Sequence, residues 1–329
     1  MRSGFPSEAQ MIRTIQRIAG RAKDRRLPLP IGDDAAAFRT RPGFLILVST
    51  DAVVEGTHFD LSYCSAEDVG WKALAVNLSD IAAMGGTPLY VTTSIALPRK
   101  GAADFLSRFY RGLTAIAREH LVTLIGGDTC RSTRGLFLDV TIIGEVKPAH
   151  MLTRRGAKPG DLLYVTGELG GSTIGLELLS RSRKLVPRSA AIRRHLRPQP
   201  RCAAGRFLAE RKLASAMIDL SDGLSTDLGR LCEQSGVGAL VESSQLPLAK
   251  IPAQQHRLLP NALLHYALHG GEDYELLFAV PQRLSRHVPS QIDGLRVCRI
   301  GRITRPTGIW LLDDQGKHRL HPGGFDHFA

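Results

Sequence analysis

The apolar positions of this chain repeat with two periods, and the period changes from segment to segment. In "ADFLSRFYRGLTAIAREH" (103–120), Phe105, Phe109, Leu113 and Ile116 recur at i, i+4, i+8 and i+11, which is one face of a helix. "SEAQMIRTIQRIAG" (7–20) places Met11, Ile15 and Ile18 on one helical face and offers Ser7 as its cap. "AEDVGWKALAVNLSDIAAM" (66–84) is helical and apolar nearly all round. In "GLFLDVTIIGEV" (135–146) the period falls to two, with Leu136, Leu138, Val140 and Ile142 on one face of a strand. "FLILVST" (44–50), "YVTTSIAL" (90–97) and "LVTLIG" (121–126) are the apolar runs of buried strands.

The pattern breaks at "KPAHMLTRRGAKPGD" (147–161), a Lys-, Arg-, Pro- and Gly-rich linker and turn. Beyond it, "LLYVTGELGGSTIGLELL" reads strand, glycine turn, helix. "SAMIDLSDGLSTDLGRLCEQ" reads strand, acidic turn, helix, and "HYALHGGEDYELLFAV" reads helix, turn, strand. Strands near 296–304, 308–312 and 317–320 end the chain. This mixture predicts an α/β (α+β) protein of two domains, 1–148 and 149–329; about two domains also suits 329 residues.

Composition narrows the class. At 43% hydrophobic and 22% charged, the chain is that of a soluble globular protein. No apolar run is long enough to span a membrane, and the N-terminus has no signal-peptide core. Five scattered cysteines without CxxC spacing argue against disulfides and zinc, and fit a reducing cytoplasm. The net charge is +12, but residues 181–212 hold eleven Lys or Arg against the single acid Glu210, so that one stretch carries +10 of it. Pro187, Pro198 and Pro200 interrupt it and aromatics are few, so it reads as a solvated basic face before a phosphate-attracting or nucleic-acid surface.

The acids are more informative. Asp33 and Asp34 lie in "IGDDAA", Asp51 follows "FLILVST", Asp128 follows "TLIGG", Asp219 and Asp222 lie in "IDLSDGL", and Glu272 and Asp273 in "GGEDYE". Asp80 sits in "AVNLSDIAAMGGTP", a run of small and apolar residues where a carboxylate is costly unless paired, hydrogen-bonded or bound to metal. Nearly all of these acids end an apolar run beside Gly, Ser, Thr or Ala. Hard cations such as Mg²⁺ take oxygen ligands, bind through few carboxylates and complete their shells with water and phosphate. Taken alone, each Asp reads first as a cap or turn residue; Asp222 is a natural cap for the helix after it, and Asp227 a helix-surface acid. The GxxxxGK[ST] loop and the protein-kinase motifs are absent. "GELGGSTIG" is a phosphate cradle at a helix N-terminus or an ordinary turn, and "LIGGDT" is the better nucleotide candidate.

"IGDDAA", "STDAVVEGTHF", "KALAVNLSDIAAMGGTP", "LIGGDT", "LTRRGAKPGD", "VTGELG", "IDLSDGLSTDLG", "GGEDYELLF" and "GGFDHF" follow one another over residues 30–328. In this order they resemble the thiamine-monophosphate kinase family, of the superfamily of aminoimidazole ribonucleotide synthetase, selenophosphate synthetase and a hydrogenase-maturation protein. The resemblance implies the two-domain aminoimidazole ribonucleotide synthetase-like architecture. Residues 1–148 would bind ATP and magnesium and dimerise, and 149–329 would close over the site. It implies ATP as co-substrate, several Mg²⁺ ions, thiamine monophosphate as acceptor, a cytoplasmic homodimer, and neither nucleic acid nor membrane as partner. Asp34, Ser49, Thr50, Asp51, Asp80, Asp128, Asp219 and Asp222 would be metal ligands, one of Ser49 and Thr50 through its backbone. Asp80, Asp128 and Asp219 would be the catalytic centre. Tyr110, Gly127, Asp128, Arg154 and Ser221 would lie against ATP, although an aromatic on an amphipathic helix, as at 110, is usually core. His58, Glu272 and Phe325 would take the substrate, with a structural histidine the other reading of His58. Two departures are visible: Pro30 stands where a glycine often precedes "IGDD", and Cys130 where a threonine often follows "GGDT".

The rival readings are another ATP-using enzyme of that superfamily and a nucleic-acid-binding protein using 181–212. A selenophosphate synthetase should carry a reactive Cys in an N-terminal glycine-rich segment, and none precedes Cys64; the hydrogenase-maturation relative should end in cysteine, whereas this sequence ends "DHFA".

Overall fold

The computed structural model describes residues 8–20, 24–29, 36–98, 101–181, 189–256, 259, 262–305 and 307–325. Ser7, Pro30, Asp33 and Asp34 lie outside these. The chain forms two compact units, Met1–Leu78 with Thr87–Pro148, and Ser79–Gly86 with Ala149–Ala329. The short segment 79–86, which carries Asp80, therefore belongs with the second unit.

The first unit contains helix α1 (Glu8–Ala19), strand β1 (Leu45–Val54), most of helix α2 (Ala66–Ala83), β2 (Thr87–Leu97), α3 (Ala102–Glu119), β3 (Thr123–Arg131) and β4 (Phe137–Val146). Its sheet has the order β1-β4-β2-β3, with only β2 and β3 parallel. Helix α2 is buried on almost every side, as its all-round apolar sequence requires. It touches α3 backbone to backbone: a Cβ on Gly70 would lie 2.0 Å from the Phe109 carbonyl oxygen, and one on Gly112 1.9 Å from that of Glu67. The periodic face of α3 is buried as its spacing predicts, Phe109, Leu113 and Ile116 completely.

Two strands are longer than their apolar runs. β1 continues through Asp51 to Val54, and β3 continues through "GGDT" to Arg131, so both acids sit within strands rather than after them. Ladder pairing with β4 and β2 carries the backbone past the point where side chains stop being apolar. β3 also has a bulge. Val91 pairs with Leu124 and Thr92 with Gly126, leaving Ile125 as the extra residue. Leu124 and Ile125 are consequently both buried, and beyond them Gly127 and Asp128 are exposed.

The second unit opens with the end of α2, closed by a left-handed Gly85 (φ 68°) and the Gly86 N–H to Ile81 carbonyl bond of a helix C-cap. It continues through β5 (Leu162–Thr166), α4 (Gly171–Arg181), α5 (Ala190–Leu196), α6 (Cys202–Glu210), β6 (Ala216–Asp219), α7 (Leu224–Ser235) and β7 (Gly238–Glu242). Helices α8 (Ala253–His256) and α9 (Leu263–His269) precede β8 (Leu276–Val280), β9 (Gln291–Ile292), β10 (Leu295–Thr304), β11 (Gly308–Asp313) and β12 (Gly316–Arg319). The main sheet has the order β12-β11-β7-β10-β5-β8-β6, and β9 pairs with β10. One apolar core joins this sheet to α7 and α9 through Leu163, Val165, Leu228, Leu231, Ala267 and Ile300. Gly205 lets α6 approach α2, since a Cβ there would lie 2.0 Å from the Ala82 carbonyl oxygen. No helix among the described residues is long and apolar enough to cross a membrane.

Candidate active site

In the first unit the candidate residues are organised by the register of the sheet. Asp51 pairs with Val140, Val140 with Thr93, and Thr93 with Gly127, so Asp51 and Gly127 lie level on one cross-strand row, with Asp128 the next residue along. Three strand spacings, roughly 14 Å in all, separate the ends of that row. Ser49 and Asp51 share the β1 face of buried Leu47 and Val53; Thr50 points to the other face, where its hydroxyl donates to Asp139 Oδ1 at 3.0 Å. Any ligation by Thr50 on the Asp51 side thus falls to its backbone carbonyl. Asp128 Oδ1 accepts from the Thr129 N–H at 2.8 Å. Gly127 has no room for a side chain, because a Cβ would meet the Thr93 carbonyl oxygen at 2.2 Å.

Tyr110 is 2% exposed, packs edge-on against Phe109, and shares a 2.7 Å hydrogen bond with the Thr93 hydroxyl. Burial pushes its phenol up to about 12. In this structure it is a core residue that supports Thr93. His58 caps the turn after β1: its Nδ1 accepts from the Val54 N–H at 3.0 Å, which puts the neutral ring's proton on Nε2. Buried Lys72, which sequence reasoning passed over, holds the same turn through Nζ to the His58 carbonyl at 3.3 Å.

In the second unit the last turn of α2 meets the end of β6. Ser79 Oγ donates to Asp219 Oδ2 at 2.7 Å, and both side chains are buried. Burial, then the neighbouring charge of Asp80, pushes the Asp219 carboxyl far above its usual range, to about 8, against the lowering influence of Ser79 and Arg154. Arg154 is exposed, and its segment is fixed beside β6 by the Met217 N–H to Thr153 carbonyl bond of 2.9 Å.

Two readings of acids are corrected at α7. Asp222 is not its cap: that position is Gly223, with no side-chain hydrogen bond, and Asp222 Oδ2 lies 2.5 Å from Arg230 Nη2. Asp227 is not a surface acid: it is fully buried, and its Oδ2 accepts the N–H groups of Asp222 and Gly223 at 2.9 and 3.1 Å. Burial raises its carboxyl to about 6. Arg230 Nη1 donates to Asp227 Oδ1 at 2.8 Å, so one guanidinium bridges both acids. A helical wheel puts Asp227 and Arg230 three apart on one face, a spacing that signals a pair but not its burial.

The glycine turn before α4 is also settled. The Gly170 and Ser172 N–H groups donate to the Asp273 carboxylate at 2.5 and 3.0 Å. The "GELGGSTIG" amides serve this internal acid, so the turn is no cradle for phosphate. Asp273 in turn anchors the segment 270–275, in which Glu272 and Tyr274 adopt positive φ of 63° and 50°. Their N–H groups donate to the Ser221 and Leu220 carbonyls at 2.7 and 2.9 Å, which places Glu272 beside the Ser221–Asp222 turn. The C-terminal segment docks on the same turn. Gly323 and Gly324 donate to the hydroxyls of Ser225 and Thr226, both at 3.2 Å, and the Phe325 N–H donates to the Asp222 carbonyl at 3.1 Å. A Cβ on Gly324 would lie 2.0 Å from that carbonyl oxygen, and the Phe325 ring stays 49% exposed.

The second unit thus brings together Asp80, Asp219, Ser221, Asp222, Glu272 and Phe325, with Arg154 near Asp219. Among the described residues no three His, Cys, Asp or Glu side chains gather closely enough to enclose a cation. The donors are nonetheless hard oxygens, and the raised carboxyl of Asp219 beside Asp80 is a pair that a divalent cation relieves. The set fits Mg²⁺ with part of its shell left to water and phosphate.

Residues 32–146 match the AIR synthase related protein N-terminal domain and 158–311 its C-terminal domain. The thiamine-monophosphate kinase of Bacillus subtilis (strain 168) is 38% identical over 306 residues, covering 91% of this chain and 93% of that protein. The crystal structure of thiamine-monophosphate kinase from Stenotrophomonas maltophilia K279a superposes with a TM-score of 0.81 at 36% identity, over 92% of this chain and 95% of that one. A structure described as AaThiL complexed with AMPPCP and TMP gives a TM-score of 0.78 at 33% identity, over 98% of this chain and 97% of that one. With both domain profiles matched in order and relatives this similar over almost the whole length, the chain belongs to the thiamine-monophosphate kinase family.

Proposed function

We propose that this chain transfers the γ-phosphoryl group of ATP to the phosphate of thiamine monophosphate, giving ADP and thiamine diphosphate, directly and in line. The observation that carries the reading is full-length similarity to proteins of that name and to one described as complexed with AMPPCP and TMP. The acceptor oxygen belongs to a phosphate whose second pKa is near 6, so it is ionised at neutral pH and needs no strong base. What opposes reaction is repulsion between two anions. Mg²⁺, when bound, neutralises charge on the transferring phosphoryl group.

In the second unit Asp80, Asp219 and Asp222 would hold Mg²⁺; in the first, Asp51, Asp128, Ser49 and the Thr50 carbonyl are the candidate ligands, with Asp34 assigned by resemblance alone. Ser79 orients the Asp219 carboxylate. Asp227 fixes the backbone of the Asp222 turn while Arg230 sets its side chain. Arg154 offers a cation to phosphate, Ser221 a polar contact, and Gly127 a strand backbone open to close approach. Glu272 and Phe325 offer a carboxylate and a half-exposed ring to the thiamine heterocycles. ADP release should require thiamine monophosphate, with thiamine and ribonucleotides inactive. Varying both substrates should give intersecting lines, and labelled γ-phosphate should transfer with inversion. Parallel lines, retention, or label left on the protein after ATP alone would defeat direct transfer.

The molecule is proposed to act as a homodimer. Edge strand β1 exposes Leu45, Ile46 and Val48, and neighbouring β4 exposes Phe137, an apolar edge that a soluble protein covers. Val48→Glu should convert a dimer to a monomer in light scattering; an unchanged mass would place the contact elsewhere.

A further inference from the structure

The basic stretch 181–212 has no part in the chemistry above, and its described portion is not simply an open cationic face. Arg201 forks onto Glu275, with Nε 2.8 Å from Oε2 and Nη2 2.5 Å from Oε1. Arg194 Nη2 lies 2.8 Å from Glu168 Oε2. Between them His195, 2% exposed, places Nδ1 3.1 Å from Glu272 Oε2 and 3.2 Å from Ser172 Oγ. Arg201 and His195 therefore grip the 270–275 segment, and Arg194 grips the turn before α4. Asp273 and Glu275 are held from below by the Gly170 and Ser172 amides and by Thr166 Oγ1, which donates to Glu275 Oε2 at 2.6 Å. Asp273 and Glu275 are thereby committed to internal donors, whereas the Glu272 side chain stays 27% exposed.

We propose that His195 is a positioning residue for substrate recognition: its imidazole fixes the Glu272 carboxylate for the thiamine end of the acceptor. The inference rests on the kinase reading. An ionised carboxylate has no proton to give, so the hydrogen between the two side chains belongs to Nδ1, and the ring donates to Oε2. Buried on α5, the imidazole does not travel, and its contact restricts rotation of the Glu272 side chain about its three bonds. A carboxylate ordered before the ligand arrives suits an N–H-bearing or cationic heterocycle, and loses less on binding it. It does not suit the anionic end of either substrate. The effect of His195 accordingly falls on the acceptor and not on ATP.

The test compares His195→Leu, His195→Asn and Glu272→Gln in the full-length enzyme. Losing a hydrogen bond to a charged group should raise KM for thiamine monophosphate about tenfold in His195→Leu, with KM for ATP unchanged. His195→Asn, which keeps a donor near Nδ1, should stay within about threefold of wild type, and His195→Leu should add nothing in the Glu272→Gln background. An unchanged acceptor KM, equal rises for both substrates, or additive effects would each overturn the role. Should the leucine variant fail to fold, the imidazole ¹⁵N signals of wild-type His195, identified by their loss in His195→Asn, decide the matter. They should respond to thiamine monophosphate and not to ATP, and no response overturns the proposal. A wild-type enzyme that releases no ADP with thiamine monophosphate counts against the kinase reading instead. In that case the role of His195 toward Glu272 still stands or falls on whether these ¹⁵N signals shift between wild type and Glu272→Gln.

Discussion

Asp80→Asn should lower kcat by at least about 10²-fold while leaving the fold and its melting temperature close to wild type. Asparagine keeps the shape of the side chain and loses its charge. The position is half-buried in the last turn of α2, where the Gly85–Gly86 cap secures the helix end. What depends on the carboxylate is the local field, since its charge is the neighbour that raises Asp219 most. Steady-state assay at saturating Mg²⁺ is the check. Near-normal turnover there would remove Asp80 from the centre of the site.

Asp219→Asn should produce an opposite pair of effects, abolishing turnover and stabilising the metal-free protein. Asp219 is buried, its carboxyl sits at about 8 in the fold against an ordinary 3.8, and it faces Asp80. An acid raised by folding keeps its proton in the native state while the unfolded chain loses it. Stability from this group is therefore full below about pH 4, falls as pH rises towards 8, and levels off above that. Asparagine removes that slope and can still accept from Ser79 Oγ. In chelator at pH 8 the variant should melt higher by roughly 5 °C, about 2 kcal/mol for a chain of this size, and the gap should close towards pH 5. Melting curves across pH decide it; a variant less stable than wild type at pH 8 would mean that the native site holds Asp219 at no electrostatic cost.

Much of the architecture was legible because it follows from periodicity. The face of α3, the all-round burial of α2 and the alternation of β4 were readable from side chains alone. The ends of β1 and β3 were not, because cross-strand pairing extends a strand through polar residues that no local pattern marks. Among the acids, the sequence picks out which are costly but not which are satisfied from within. Asp273 and Asp227 look like Asp219 and Asp222 on paper. In the structure the first pair accept backbone N–H groups at 2.5 to 3.1 Å and act as internal braces. His195 was hidden for a related reason: its partner lies 77 residues away in the chain, among arginines whose sheer number drew attention to charge.

The bulge at Ile125 gives β3 one residue of slack in its pairing with β2. One extra residue in β3 lets Leu124 and Ile125 both enter the core, while Gly127 still pairs with Thr93 and Asp128 with Ser94. Deleting Ile125 would restore plain alternation between Leu124 and Gly126, so the strand beyond would keep both its register and its faces. Asp128 would stay on the face it shares with Ser94 and Asp139, and the loss would be one buried side chain. Deletion of codon 125 should thus act as a core truncation does, lowering the melting temperature, and should be tolerated better than a one-residue deletion in the middle of β2, where no spare residue absorbs it.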